Sequence, residues 1–276
     1  MLLDRLSQIG RAAMDEGKSI DEIAASLDDK DIELLLELQE AERAIEDFEK
    51  FENLFPDKTQ FIGEFKFWAR DLYQRHLQFF RLGKTIRARC FMAANRVGKT
   101  FSAGGYEMTC HLTGLYPKWW EGRRFKHPIR AWACGKTNET TRDIVQTTLL
   151  GDIQYNGVRK GVDGKGVIPC EKIGIDQGQL TWKQGVADLV DTIKIKHVSG
   201  GWSKLGFKSY QQGRGSFEGT AQHVIWDDEE PPMDIYSEQV IRTATTKGII
   251  MITFTPLEGM SDVVQQFLPD DNDVIE

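Results

Sequence analysis

The sequence predicts an α/β fold in which a mainly parallel central sheet is flanked by helices, with a helical appendage at the N-terminus. Three observations predict it. An apolar run, Ala88-Arg89-Cys90-Phe91-Met92, leads into a Gly-Lys-Thr turn and then a helix-like pattern at Phe101, Ala103 and Met108. A second run, Val224-Ile225-Trp226, stops at four consecutive acids. A third, Ile249 to Phe254, stops at Thr255-Pro256. Apolar runs this short, bounded by turn residues and separated by helical text, read as strands covered on both faces.

Taken in order, the chain opens with an acidic region, expected as residues 1–58. Residues 1–60 hold 17 acids and 7 bases, a net of −10, which leaves about +3 for the rest of a chain whose total is −7. Such an arm repels nucleic acid and suits a protein partner or the body of the chain. Lys18 to Ala24 reads as a short helix capped by Ser19. Leu34, Leu38, Ala41, Ile45 and Phe48 recur at three- and four-residue steps, which predicts one long amphipathic helix starting at Asp31. Pro56 closes the region. The body is expected as 59–268. Helical text at 61–80 leads to a strand at 85–92, the Gly-Lys-Thr loop and a helix. Ile129 to Cys134 is a second strand, and Thr137 starts a helix running to about Leu150. Residues 151–191 are Gly-rich and weakly patterned. From Asp191 to Val198, Ile193, Ile195 and His197 alternate with Lys194, Lys196 and Val198, a half-exposed strand that Phe207 to Tyr210 can pair with. The strands at 224 and 249 follow. The acidic tail 269–276 reads as the start of a linker.

At 276 residues and 40% hydrophobic, the chain can build one large domain plus a small appendage. No apolar run approaches the ~20 residues of a membrane span, and Met1-Leu2-Leu3-Asp4-Arg5 carries acid too early for a signal peptide. Cys90, Cys110, Cys134 and Cys170 are not closely paired, which suits buried reduced thiols. The five histidines lack metal-ligand spacing.

The chemistry concentrates in residues 93–100, Ala-Ala-Asn-Arg-Val-Gly-Lys-Thr. Strand, loop, Gly-Lys-Thr and helix is the layout of a P-loop NTPase. In it the backbone of Ala94, Asn95, Arg96, Val97 and Gly98 and the helix N-terminus converge on phosphate oxygens. Lys99 would reach the β- and γ-phosphates of ATP, and the Thr100 hydroxyl would hold Mg²⁺. The usual opening Gly is replaced by Ala93, so the loop is a variant, and alone it equally suits an ordinary strand–turn–helix. The downstream acids decide. A carboxylate at a strand's C-terminal end holds the Mg²⁺ shell, and a neighbouring Glu orients or deprotonates water. Asp228 is assigned to Mg²⁺ and Glu229 to the water, with Asp227 and Glu230 as alternates. Thr253 and Thr255 can sense the γ-phosphate. Gln74 can read an adenine edge beside the aromatic Tyr73, or both can belong to an amphipathic helix burying Leu72, His76, Phe79 and Phe80. A second Gly-Lys-Thr, at 135–137, lacks the preceding loop residues and reads as a helix start.

Together these motifs resemble the ATPase domain of the large terminase subunit of tailed bacteriophages, over roughly Phe65 to Val263. Thr113 to Phe125, Gly213 to Thr220 and Asp228 to Pro232 also look like that family. The resemblance implies a loop with an Arg inside it, matching Arg96, which would act on the γ-phosphate or switch with Glu229. It implies an adenine motif at Tyr73-Gln74, a metal Asp at Asp228, a catalytic Glu at Glu229 and a coupling motif ending in Thr255-Pro256. It also implies an arginine supplied by a neighbouring subunit, with Arg214 the first choice and Arg142 the second; either can also be a plain surface arginine. A motor moving double-stranded DNA is implied, working as a homo-oligomeric ring on a portal, with a small terminase subunit, in the host cell cytoplasm and without a membrane. Lys118, Arg123, Arg124 and Lys126 interleave with Trp119, Trp120 and Phe125 as DNA grips, or as solvated bases on a core-packed aromatic loop. The family's C-terminal nuclease domain is expected beyond this chain, so no nuclease activity is assigned to it. Two alternatives remain: a helicase-like or other nucleic-acid motor, and a nucleotide-dependent assembly module with little hydrolysis in isolation.

Overall fold

The computed structural model describes residues 50–62, 65–156, 159–174, 179–256, 259 and 261–268. The helices expected at 18–24 and from Asp31, and the tail 269–276, lie outside the described residues. The chain divides into two compact units, residues 1–48 with 61–66 and residues 49–60 with 67–276. Residues 60–67 correct the expected helical text at 61–80. Strands β1 (Gln60–Ile62) and β2 (Phe65–Phe67) pair with each other. In the sequence Phe61, Phe65 and Phe67 keep an even spacing, a strand rather than a helical period.

In the larger unit, a short helix α1 (Lys50–Asn53) buries Phe51. Helix α2 starts only at Gln74 and runs to Leu82. It buries His76, Phe79 and Phe80 as expected, but Leu72 precedes it on a 3-10 turn and is 63% exposed. A seven-stranded sheet follows. Its strands are β3 (Ala88–Met92), β4 (Arg130–Gly135), β7 (Leu180–Trp182), β8 (Val190–Lys196), β9 (Trp202–Ser209), β10 (Val224–Asp228) and β11 (Ile249–Phe254), in the spatial order β3-β11-β10-β4-β9-β8-β7. The first five in that order are parallel, and β8 and β7 extend them antiparallel. Strand β8 pairs with β9 through Trp202–Gly206 rather than through the expected Phe207 to Tyr210, because Phe207 to Ser209 register with β4 and Tyr210 lies on a 3-10 turn; β8 alternates buried and exposed because it lies near the sheet margin. The Gly-rich stretch supplies β7 and a separate two-stranded ribbon, β5 (Ile153–Asn156) with β6 (Arg159–Val162).

Strand parity sorts the core. Val224, Trp226, Ile249 and Met251 join one apolar cluster, with Phe80, Met108 and Leu149; Ile225, Ile250, Ile252 and Phe254 join a second, with Ile235 and Val263. Every residue of β10 and β11 is buried, which is why both read as unbroken apolar runs. The first face is covered by α2 and by α3, whose π-helical turns Lys99–Gly105 continue into Tyr106–Thr113. Helix α4 has a π segment at Thr141–Gln146 between the α-helical turns Asn138–Thr140 and Thr147–Leu150. It starts in a capping box, with Thr137 N–H donating to Thr140 Oγ1 at 2.9 Å and Thr140 N–H to Thr137 Oγ1 at 3.1 Å, so the second Gly-Lys-Thr is a helix start. The second face carries α5 (Met233–Ala244), and a final turn, α6, spans Asp262–Gln265.

Two features tie α3 to the sheet. Gly104 lies so close to β10 that a Cβ there would sit 2.2 Å from the Trp226 indole. Gly104→Ala is expected to cost about 1–3 kcal/mol through overpacking. Gly215→Ala, where a Cβ meets nothing within 4 Å, should leave the urea midpoint close to the parent's. The other feature is a buried polar chain. Arg89 on β3 donates to both oxygens of Glu107 on α3, at 3.1 and 2.8 Å, and also to Phe79 O. His111 Nε2 lies 3.1 Å from Glu107 Oε1, its Nδ1 lies 2.9 Å from the Tyr116 hydroxyl, and that oxygen accepts from Phe125 N–H at 2.8 Å. The Nε2–H tautomer lets His111 donate to the carboxylate and accept from Tyr116, so every link has a donor and an acceptor.

None of the four cysteines is in a disulfide; Cys110 and Cys134 are buried and Cys90 partly so, but Cys170 is exposed, against the expectation of buried thiols. Among the described residues no helix is long and apolar enough to cross a membrane.

Candidate functional site

The four strands β3, β11, β10 and β4 are parallel, so their C-terminal ends share one edge of the sheet. The loop 93–98, the acids after Asp227, Thr255 and Lys136 all lie at that edge, where ligands of open α/β sheets bind. Arg96 and Gly98 adopt left-handed φ values of 64° and 81°, which curl the loop before α3 begins at Lys99. The first N–H groups of a helix have no partner inside it and present positive dipole ends. Lys99 is buried and its ammonium donates to Ala94 O at 2.7 Å, across the curl of the loop.

The link between loop and sheet is Asp228. Its Oδ1 accepts from Thr100 Oγ1 at 2.8 Å and from Thr253 Oγ1 at 2.9 Å. Parity explains the arrangement: Asp228 continues the Val224 and Trp226 series toward α3, and Asp227 continues Ile225 toward α5. Asp227 accordingly accepts from Gln239 Nε2 at 2.7 Å and Tyr210 OH at 3.2 Å on the opposite face. The geometry thus favours Asp228 over Asp227 as the residue facing the loop. Burial pushes the Asp228 carboxyl up to about 6, with the two hydroxyls pulling the other way. Thr253 is fully engaged, since its hydroxyl also accepts from Trp226 Nε1 at 2.8 Å. Thr255, two residues on, instead reaches the loop and donates to Asn95 Oδ1 at 2.8 Å.

Glu229 stands next to Asp228 with a left-handed φ of 87°, a conformation costly for a residue with a Cβ. Its backbone is held on both sides, by N–H donation to Thr253 O at 2.9 Å and by Tyr210 OH donating to its carbonyl at 2.8 Å. The side chain is exposed in a cavity of about 580 Å³ that Lys136, Gln211, Met233 and Thr255 also line. Partial burial raises its carboxyl, and Lys99 and then Lys136 oppose that rise. Glu230 is bonded to Ser261 Oγ. On the other side of the loop a cavity of about 330 Å³ is lined by Tyr73, Gln74, His76, Phe91, Ala93 and Val97. Tyr73 and Gln74 thus lie beside the loop; in the structure the Gln74 amide donates to Asp71 O at 2.7 Å.

The arginines are not brought together with these groups. Arg96 is exposed and pairs with no carboxylate among the described residues, Glu229 included. Arg214 sits on the 3-10 turn Arg214–Phe217, and its guanidinium pairs with Glu238 of α5 at 3.1 Å, sharing that carboxylate with Arg242. Arg142 pairs with its neighbour Asp143. Two other side chains at the site carry weaker sequence signals. Lys136 belongs to the second Gly-Lys-Thr, and its signal was a position at the end of a strand next to β10. His76 lies beneath the loop, with its Nε2 3.5 Å from where a Gly98 Cβ would be, and burial holds its imidazole below the ordinary value. Its place on an apolar helix face gives no hint of that.

The family model for "Terminase large subunit, T4likevirus-type, N-terminal" matches residues 90–274, two thirds of the chain. The chain belongs to the terminase large subunit family. It is 37% identical over 268 residues to the "Terminase, large subunit" of Salmonella phage P22, covering 90% of this chain and 48% of that protein. The chain therefore spans about half the length of this relative of the terminase large subunit family. No solved structure matches it. The match begins at Cys90, inside β3, and so takes in the loop, both acids and Thr255, while Tyr73 and Gln74 precede it.

Proposed function

We propose that this chain is the ATPase motor domain of a phage large terminase subunit, a P-loop NTPase hydrolysing ATP with Mg²⁺ to move double-stranded DNA into a procapsid. One observation carries the reading: Thr100 at the head of α3 is hydrogen-bonded to Asp228 at the end of β10, with Glu229 beside it. A bare strand–turn–helix gives no reason for a buried carboxylate to meet that hydroxyl. The oxygen donors Thr100 Oγ1 and Asp228 Oδ1 suit a hard cation, and a burial-raised carboxyl is one that a cation would favour in its charged form. When bound, Mg²⁺ would neutralise charge on the β- and γ-phosphates. Backbone N–H groups of 94–98 and Lys99 would hold the phosphates, Tyr73 and Gln74 the adenine, and Glu229 would position and deprotonate water. Thr255, through Asn95, would sense the loop's contents. Arg96 would act within the chain and Arg214, with Arg142 second, across a subunit boundary.

Within this reading, residues 1–58 form an acidic appendage, 59–268 the motor and 269–276 a linker. Its partners are duplex DNA, further copies in a ring on a portal, and a small terminase subunit, in the host cytoplasm. Within one chain Arg214 faces Glu238 rather than the loop, so its action on the nucleotide would come from a neighbouring copy. Mg²⁺-dependent ATP hydrolysis should therefore rise per chain with protein concentration and vanish in Lys99→Ala. A flat specific activity would count against an arginine in trans, and unchanged turnover in Lys99→Ala would remove the motor reading. Strand unwinding by the chain would instead point to a helicase.

A further inference from the structure

At the opposite edge of the sheet, the N-terminal ends of the same strands carry a cationic surface. Helix α2 ends at Leu82, five residues before β3, and the loop 116–129 delivers the chain to β4. These two segments meet around a cavity of about 610 Å³ lined by Arg81, Lys84, Arg123 and Arg124, with Glu121 its carboxylate. Its remaining lining, Trp120 and Gly122, is buried. Trp120 stacks on Phe80 at 4.9 Å, so the aromatic half of this loop is core and the bases stand on it.

The arginines are held in place by the protein. Arg124 donates to Trp120 O at 2.9 Å and lies 5.2 Å from the Tyr116 ring, and Arg123 lies 5.0 Å from the Phe125 ring. Neither Arg81, Lys84, Arg123 nor Arg124 forms an ion pair among the described residues. Burial, and after it the neighbouring Arg87, hold Arg123 below its ordinary value.

We infer that this groove is a duplex-DNA grip that contacts backbone phosphates at the end of the sheet opposite the ATP loop. The inference rests on the motor reading for the identity of the polyanion. Four fixed or flexible cations against one carboxylate, with guanidinium forks, match phosphate oxygens. The lining offers no amide or hydroxyl side chain to read bases, which suits a grip indifferent to sequence. It also offers no exposed apolar anchor of the kind that organises protein interfaces, so nucleic acid is favoured over an acidic protein. Strand β3 connects the two ends, roughly 17 Å apart for five residues. The buried chain from Arg89 to Phe125 joins that strand and α3 to the loop bearing Arg123 and Arg124.

The test is the salt dependence of full-chain binding to a 30-bp duplex, read by anisotropy, for the parent and Arg81→Ser/Lys84→Ser. Both side chains are exposed, so the fold should be unaffected. The slope of log affinity against log salt should shrink by about 2, equally for unrelated sequences. A control pair on β8, Lys194→Ser/Lys196→Ser, should keep the parent slope. ATP turnover without DNA, measured in parallel, separates the two readings. An unchanged slope in the groove variant with intact turnover overturns this inference alone. A shrunken slope with no turnover in any variant upholds the groove and removes the motor. Undiminished duplex binding with lost binding to polyglutamate also overturns it, in favour of an acidic protein.

Discussion

Glu229→Gln should lower Mg²⁺-dependent ATP turnover by about 10²–10⁴-fold, the range for removing a positioned general base, while ATP binding stays close to the parent's. Three features set this expectation. The Glu229 backbone is clamped between Thr253 O and Tyr210 OH, so an isosteric amide keeps its place. Its carboxyl is raised by burial, toward the value a base needs near neutral pH. The Thr100–Asp228 pair that would hold the metal has its own hydrogen bond, and neutralising Glu229 removes only a like charge beside Asp228, so its loss should not weaken binding. Phosphate release and a fluorescent-nucleotide titration on the same protein separate the two effects. Retained turnover would shift the role to Glu230, whose carboxylate is bonded to Ser261 in the structure.

The second large effect concerns the fold. Glu107→Ala should destabilise the protein by about 3–5 kcal/mol, because it leaves the Arg89 guanidinium buried without a counter-charge. Arg89→Met/Glu107→Met should recover most of that loss, since an apolar pair of similar volume removes both charges together. The pH dependence follows from the same residues. Burial pushes Glu107 up, but Arg89 and His111 outweigh it and hold the carboxyl below its ordinary value. That stability is complete above the unfolded glutamate range, roughly 4.3, and is lost as pH falls through and below it. Burial lowers His111, so below roughly 6.5 the unfolded chain takes up its proton first and stability falls there too. Burial raises the Asp227 and Asp228 carboxyls, which act in the opposite sense over the same range, so the effect is read as a difference: the urea-midpoint gap between the parent and Glu107→Gln should narrow as pH falls from about 5 to about 3. A gap that does not change with pH would show that the Glu107 carboxyl is not held down as described.

The site's location was legible because its parts close short apolar strands, two of them, β10 and β11, wholly buried, which are the least ambiguous signal in a parallel sheet. The register of the acids was legible only as alternatives. Asp227 and Asp228 are neighbours in sequence but point to opposite faces, and only their partners, Gln239 against Thr100, tell them apart. The paired strands Gln60–Ile62 and Phe65–Phe67 were hidden because four aromatic or aliphatic residues in eight satisfy both periods. Arg89 and Glu107 were illegible for a different reason. A charged residue in a strand and another in a helix say nothing of each other until the fold brings them within 2.8 Å. Lys136 was set aside because its triplet also caps a helix, and in the structure it belongs to both settings.

Both Gly-Lys-Thr triplets are followed by π-helical turns, at Lys99–Gly105 and at Thr141–Gln146. A π-turn closes over one residue more than an α-turn, so each segment absorbs a single extra residue between ends that are pinned. After Lys99 those pins are Thr100 on Asp228 and Gly104 against Trp226. Chain length can therefore change by one at these two places without moving either pin. In an alignment of relatives, single-residue gaps should gather inside these two helices rather than in the loops before them, and a sequence shortened there should trade its π-turn for an α-turn.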